Sequence, residues 1–365
     1  MKLNTFYFIL FLLCIVSCSR DKQTVIEGNI PNLPDGTVYL YKDWAGNKID
    51  STRSKNGVFS FTYKWGKSVE PVYLGIDHKD DKGISRLFSF PTHAKYRGSP
   101  WSTSTFLSDP AISIKGNIKD FTPKELMLPE KVKLVEGPPI ITGRQTEVYY
   151  NTDGDFFDNV KSNKTNIIKE KIRQYPYSYH LLYKLVQNKN NYNADEIKSF
   201  MESFKGDITQ SSTYKRLEDY NQKRFNKKGV ILPLLEDENG NQLKVTDTKY
   251  KKHLIIFWAS WCGPCRAEIP LLKKVYSKVN TSTEFVSISI DNDKNAWKKT
   301  LNDEKMGWKQ LIVNSSSPAY ENFQILFKLN NAIPYTVLVD NNLKILASST
   351  GLSSKEELNK LIETN

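Results

Sequence analysis

Cysteine is scarce in this chain, with four in 365 residues, and histidine is no commoner, also at four. A disulfide-stapled scaffold is excluded, because such folds are short and dense in cysteine. A structural zinc site is excluded on spacing: Cys262 and Cys265 form the one CxxC, and His78, His93, His180 and His253 show no ligand spacing. No apolar run reaches the roughly 20 residues that a membrane-spanning helix needs. No arginine-rich block occurs either. The net charge is +12, from 52 basic and 40 acidic side chains, but lysines are spread through every region (Lys67, Lys115, Lys169, Lys251, Lys299), so nucleic acid is not an expected partner. What the chain does have is a 39% apolar content with 12% aromatics, enough for globular cores, and a length that implies two or three domains.

The longest apolar run, Phe6 to Val16, follows the positive start Met1-Lys2 and suits a signal-peptide core. It ends in Ile15-Val16-Ser17-Cys18, which resembles a bacterial lipobox, with Cys18 as the lipidated first residue of the mature chain. Ser19 rather than an aspartate follows it, which under the usual rule points to the outer membrane more than the inner. Cys14 is then lost with residues 1–17 and Cys18 carries lipid, so Cys262 and Cys265 are the two thiols left. A pair three apart in an oxidising compartment is placed there to be oxidised and reduced.

Beyond a tether at 18–23, residues 24–137 read as an antiparallel β-sandwich. Alternating runs at Thr37–Tyr41, Gly57–Tyr63, Pro71–Ile76 and Ala111–Lys115 are punctuated by the turn signals Asp35-Gly36, Gly46-Asn47 and Asn56-Gly57. The segment from His78 to Ser108 fits this pattern poorly. Residues 138–224 read as a helical domain. Ile167, Ile168, Ile172, Leu181, Leu182, Leu185, Val186, Ile197, Phe200, Met201 and Phe204 recur at helical spacing, with Ser178 and Asn193 as expected helix starts and Glu196 completing a capping box. Residues 225–365 alternate strand and helix: strands at His253–Trp258, Phe285–Ile290, Thr336–Val339 and Lys344–Ala347, helices around Ala267–Val279, Ala296–Asn302 and Tyr320–Leu329. That is an α/β pattern with a parallel core.

Trp261-Cys262-Gly263-Pro264-Cys265 falls where a strand ends and a helix begins. The free N–H groups and partial positive charge of a helix N-terminus stabilise a thiolate, so Cys262 is expected to be the exposed, attacking sulfur. Cys265, one turn in, is the resolving one. The stretch Phe257-Trp-Ala-Ser-Trp-Cys-Gly-Pro-Cys-Arg-Ala-Glu-Ile-Pro270, together with Ser287–Asp291, the Trp297 and Trp308 region and Ile333-Pro334, resembles the TlpA/ResA branch of the thioredoxin superfamily over the last 140 or so residues. The β region, through Ile26–Ile30, Ile49–Thr52 and Gly57–Phe61, resembles the β domain of unknown role that precedes such domains in Gram-negative lipoproteins.

The resemblance implies a multidomain thiol–disulfide oxidoreductase that needs no cofactor and no metal. It implies that Pro334 is a cis-proline facing the disulfide, that Glu268 tunes the thiols, and that Trp261, Gly263, Pro264 and Ile333 contact substrate. Where thioredoxin keeps a buried aspartate in the preceding strand, this chain has Ile256, which makes a role for Glu268 more plausible. The Gly-Pro dipeptide is that of reducing thioredoxins; oxidases and isomerases carry a histidine there. The reading is a dithiol reductase or disulfide-remodelling enzyme. Its substrates are envelope protein thiols and disulfides, its electron donor a membrane dithiol protein, and its anchor the lipidated Cys18. Cytochrome c maturation is the family's best-known task. A competing reading makes the N-terminal part a partner- or polymer-binding module using Trp44, Trp65 and Trp101. A peroxidase is disfavoured because Ala259, not threonine, stands three residues before Cys262.

Overall fold

The computed structural model describes residues 22–43, 47–66, 70–121, 128–158, 164–226, 230–279, 281–329 and 332–364. The signal segment, Cys14, Cys18, Trp44, Gly46 and Lys67 lie outside the described residues. The chain divides into two compact units, residues 1–155 and 156–365.

The first unit is β-rich: β1 (Gln23–Asn29), β2 (Gly36–Lys42), β3 (Asn47–Ser54), β4 (Val58–Lys64), β5 (Tyr73–Asp80), β6 (Ser85–Tyr96), β7 (Ser99–Thr103), β8 (Thr105–Leu107), β9 (Ala111–Lys115), β10 (Lys119–Asp120), β11 (Val132–Glu136) and β12 (Ile140–Ile141), closed by helix α1 (Arg144–Tyr150). One sheet runs β12-β9-β1-β4, and the other runs β10-β11-β6-β5-β2-β3, with β7 on β6 and β8 on β5. Most pairings are antiparallel, but β1 with β9 and β11 with β6 are parallel, which the alternation alone did not foretell. The Asn56-Gly57 turn is as read: both residues have positive φ, 52° and 75°, the combination a two-residue type I′ hairpin requires.

The poorly fitting segment turns out to hold β6, β7 and β8. The alternation of β6 holds as far as Phe90 and is then broken by a register shift between Pro91 and Lys95. The expected boundary at 137/138 falls inside this unit, because β12 pairs with β9 and the carboxylate of Asp109 accepts from the N–H groups of Gln145 and Thr146 at the start of α1. Trp65 and Trp101 are half-buried rather than displayed. The Trp65 indole donates to Thr24 Oγ1 at 2.9 Å, and the Trp101 ring packs edge-on to Tyr149 with centroids 5.9 Å apart.

The second unit opens with α2 (Lys164–Gln174), α3 (Tyr179–Gln187), α4 (Ala194–Met201) and α5 (Ser212–Asn226). Both expected caps form: Ser178 accepts from Leu181 N–H, and Asn193 with Glu196 makes a complete capping box. The buried stripe is the periodic one, except that Val186 is half-buried and Ile167 faces outward at 55% exposure. The α/β part then follows as β13 (Leu235–Asp237), β14 (Gln242–Leu243), β15 (Lys252–Trp258), α6 (Gly263–Val279), β16 (Thr283–Ser289), α7 (Lys294–Glu304), β17 (Lys309–Ile312), α8 (Pro318–Phe327), β18 (Tyr335–Asp340), β19 (Ile345–Thr350) and α9 (Lys355–Glu363). Its sheet runs β14-β13-β17-β16-β15-β18-β19, with β15, β16 and β17 parallel and β18 antiparallel to β15.

The unbroken apolar run of β15 is explained by burial on both faces. Ile255 and Phe257 join Trp297, Phe323 and Phe327 on one side, while Leu254 and Ile256 join Leu272, Val275, Leu358 and Leu361 on the other. Phe257 sits under the strand's functional end, fully buried, with ring centroids of Phe323, Phe327 and Tyr335 at 5.8, 6.2 and 6.3 Å. Replacing it by alanine leaves a cavity too enclosed to collapse. Phe257→Ala is expected to cost about 3–5 kcal/mol in the urea transition of the second unit, with the disulfide intact. A loss under about 1 kcal/mol would show that the aromatic cluster does not hold this strand end.

Candidate active site

β15 stops at Trp258, and the chain must reverse direction before α6 begins at Gly263. The turn between them is tightly held. The N–H of Cys262 donates to the carbonyl of Ala259 at 3.1 Å, and Ile290 N–H donates to Trp258 O at 2.9 Å. The carboxylate of Asp291, 2% exposed, accepts from Ser260 N–H at 2.8 Å, from Ser260 Oγ–H at 2.7 Å and from Ser289 Oγ–H at 2.5 Å. Asp291 lies in the Ser287–Asp291 stretch that was read only as a family mark. Its positioning role was missed, because nothing in the sequence says that a strand-end carboxylate reaches across to the neighbouring strand's loop.

Cys262 and Cys265 are joined as a disulfide, with Cα atoms 5.3 Å apart. The backbone N–H of Cys265 donates to Cys262 Sγ at 3.2 Å, so the helix N-terminus points at the outer sulfur, as the placement of the motif predicts. The expectation that Cys262 is exposed is corrected: in this oxidised state it is 5% exposed and Cys265 is 3% exposed. The cover comes from the opposite loop. Ile333-Pro334 is a cis peptide, and the Ile333 carbonyl oxygen lies 3.9 Å from Cys262 Sγ. Trp261 does not pack down on the disulfide but projects outward, 68% exposed. With exposed Gly263 and Pro264 and half-buried Ile333 it forms the accessible rim around the sulfurs, while Pro334 is buried. A Cβ on Gly263 would meet nothing within 4 Å.

Glu268 lies on α6 one turn beyond Cys265 and is 7% exposed. Its Oε1 accepts from Leu352 N–H at 2.6 Å, and its Oε2 is buried with no hydrogen-bond partner. Burial, with a small addition from the charge of Glu357, raises its pKa above the ordinary glutamate value, against the Leu352 N–H, which pulls it down. The residue before Leu352, Gly351, donates its N–H to the Pro334 carbonyl at 3.0 Å and has a φ of 79°. Neither Gly351 nor Leu352 was singled out from the sequence; a glycine just after a closing strand was the available signal. His253 is engaged elsewhere in the sheet, with ring nitrogens 2.7 Å from Glu284 Oε2 and 2.8 Å from Asn341 Oδ1.

Residues 250–345, which span Cys262, Cys265, Glu268 and Pro334, match the family described as thioredoxin-like, and residues 24–147 match a domain of unknown function (DUF4369). The chain is similar to the thiol–disulfide oxidoreductase ResA of Geobacillus kaustophilus, 26% identical over 133 residues that make up 36% of this chain and 72% of that one. It is similar to ResA of Bacillus subtilis at 23% over 119 residues, 32% of this chain and 63% of that one. Among solved structures, a thiol–disulfide oxidoreductase from Bacteroides fragilis is 28% identical, with a TM-score of 0.30, over 36% of this chain and 94% of that one. The C-terminal part of the chain thus carries a thioredoxin-like domain similar to the ResA thiol–disulfide oxidoreductases, and the β-rich part before it matches a domain of unknown function.

The buried Glu268 generates a prediction about pH. Its carboxyl binds a proton more tightly folded than unfolded, so it favours the fold at low pH. That contribution is lost as pH rises from the ordinary carboxyl range through the raised value. Glu268→Gln removes the dependence while keeping an acceptor for Leu352 N–H. Between about pH 4 and about pH 7, the urea stability of the glutamine variant is expected to rise relative to the parent. A difference independent of pH would show that the buried carboxyl does not titrate with folding.

Proposed function

We propose that this thioredoxin-like thiol–disulfide oxidoreductase works as a dithiol reductase or disulfide-remodelling enzyme on proteins of the cell envelope. The observation that carries the reading is the Cys265 N–H aimed at Cys262 Sγ beneath the Ile333-Pro334 loop: one sulfur is favoured as thiolate and stands where a client must lie. In the reduced enzyme the Cys262 thiolate attacks one sulfur of a client disulfide, forming a mixed disulfide and releasing the first client thiolate. Cys265, deprotonated with Glu268 as the nearest buried acid–base group on its helix face, attacks Cys262 Sγ and releases the second thiolate. The client gains two electrons and, on protonation, two protons; the enzyme is left as the disulfide.

Gly263 and Pro264 between the cysteines support the reducing direction, because a histidine there would stabilise the thiolate further and make the disulfide more oxidising. In an oxidising compartment the spent disulfide then requires a membrane dithiol protein as donor. The apolar run ahead of Cys18 and its lipobox-like setting support an extracytoplasmic lipoprotein, tethered to the outer rather than the inner membrane. Trp261, Gly263, Pro264 and Ile333 are the client-contacting rim, with Pro334 holding the loop in place.

The test is the reduction potential of the Cys262–Cys265 pair in the chain starting after Cys18, equilibrated against glutathione buffers. A value near about −270 mV, that of thioredoxin, is expected of a reductase fed by a donor. A value near about −120 mV, that of strong oxidants, would recast the protein as a disulfide donor. Cys262→Ser is expected to abolish exchange, and Cys265→Ser to accumulate mixed disulfides with clients; exchange surviving the first change would refute the assigned nucleophile.

A further inference from the structure

The helix that leads into the proline loop is held from outside the α/β part. Within the second unit, Glu321 near the start of α8 pairs with Arg216 of α5 at 3.1 Å and with the buried Lys189, just after α3, at 3.4 Å. At the other end of α8, the side-chain amide of Asn190 donates to the carbonyl of Leu329 at 3.0 Å. Leu329 itself is fully buried. Asn190 is held in turn: the Tyr220 hydroxyl of α5 donates to its Oδ1, and the Arg224 guanidinium donates to the neighbouring carbonyls of Lys189 at 3.2 Å and Tyr192 at 2.7 Å. From Leu329 the chain has only four residues in which to reach Ile333, a span of at most ~14 Å. From the α/β side, Tyr335, just beyond Pro334, donates its hydroxyl to Phe327 O at 2.8 Å. The exit of α8 is thus pinned by one tyrosine from the sheet and one asparagine from the helical segment.

We infer that Asn190 is a positioning residue for the Ile333-Pro334 loop, and that the helical segment thereby sets how well a polypeptide disulfide seats at Cys262. The inference rests on the proposed thiol–disulfide exchange with protein clients. The Ile333 carbonyl lies 3.9 Å from Cys262 Sγ, so any chain that reaches this sulfur lies along Ile333. A displaced loop weakens the seating of such a chain and leaves the sulfur chemistry, set by α6, unchanged. A small disulfide that touches little besides the sulfur is insensitive to the same displacement.

The experiment compares the parent, Asn190→Ala and Tyr220→Phe, each as the chain starting after Cys18. Insulin serves as a polypeptide disulfide, turned over at a fixed excess of dithiothreitol as electron donor, and Ellman's reagent as a small one, in a single turnover of pre-reduced protein freed of reductant. Asn190→Ala is expected to raise KM for insulin about three- to tenfold, the effect of one buried hydrogen bond. It is expected to leave kcat, the rate with Ellman's reagent and the redox equilibrium constant against glutathione within twofold of the parent's. Tyr220→Phe removes only the hydroxyl that orients Asn190; it is expected to shift KM in the same direction by less, and it carries the test if the alanine variant does not fold. An unchanged KM in both variants overturns the inference, and so does a parallel fall with both substrates, which marks a general structural loss. A parent inert toward both probes refutes the exchange reading itself, which is a different result from an unchanged KM.

Discussion

The hydrogen bond from Cys265 N–H to Cys262 Sγ depends on where a helix is made to begin, and most of the α/β part serves that placement. β15 cannot shift, because its two faces are packed into separate apolar clusters. Its end at Trp258 is therefore a fixed point, and only four residues separate it from the first turn of α6. The first N–H groups of any helix lack intrahelical partners. Here one of them finds a sulfur. The turn could relax and rotate that sulfur away, but Ser260 is tied to Asp291 through both its N–H and its hydroxyl. With Ser289 Oγ–H as its third donor, the buried carboxylate has its acceptor oxygens satisfied, as a buried polar group requires.

Burial of the sulfurs and exposure of the rim answer different needs. Desolvation alone would disfavour a thiolate at Cys262, whereas the helix N-terminus favours it. The N–H contact is what lets the sulfur be covered and remain reactive. The cover over Cys262 includes a main-chain carbonyl, that of Ile333, while the Trp261 indole beside the pair is exposed to solvent.

What was legible in the sequence was what local patterning controls. The continuous run from His253 to Trp258 announced a strand buried on both faces, Ser178 and Asn193 announced helix starts by side-chain chemistry, and Asn56-Gly57 announced a tight hairpin. The cysteine pair stood out in the sequence through the count of cysteines left after the lipobox and through the resemblance of Phe257–Pro270 to the TlpA/ResA branch, and its sulfurs are joined here. The unread parts depend on residues distant in sequence. The parallel pairing of β1 with β9, the reach of Asp291 to Ser260 and the strap of Gly351 and Leu352 are each set by tertiary packing. The burial of Cys262 belongs here too, since its cover arrives from a loop seventy residues further on.

The place of the buried acid follows from the same logic. Ile256 packs into the cluster with Leu272 and Val275, so β15 brings no ionisable side chain to that face near the cysteine end, Lys252 lying at the strand's far end. Glu268 enters the interior from the helix instead, held by Leu352 N–H, while the adjacent Gly351 holds the Pro334 carbonyl. Two consecutive residues thus connect Glu268, one turn beyond Cys265, to the loop that lies over Cys262. A left-handed φ at Gly351 makes the connection short, because a residue with a Cβ rarely adopts it. The unpartnered Oε2 is the cost of this arrangement. Apolar strand, helix-borne acid and glycine strap together hold a buried carboxyl one turn beyond Cys265 and tie it to the loop over Cys262.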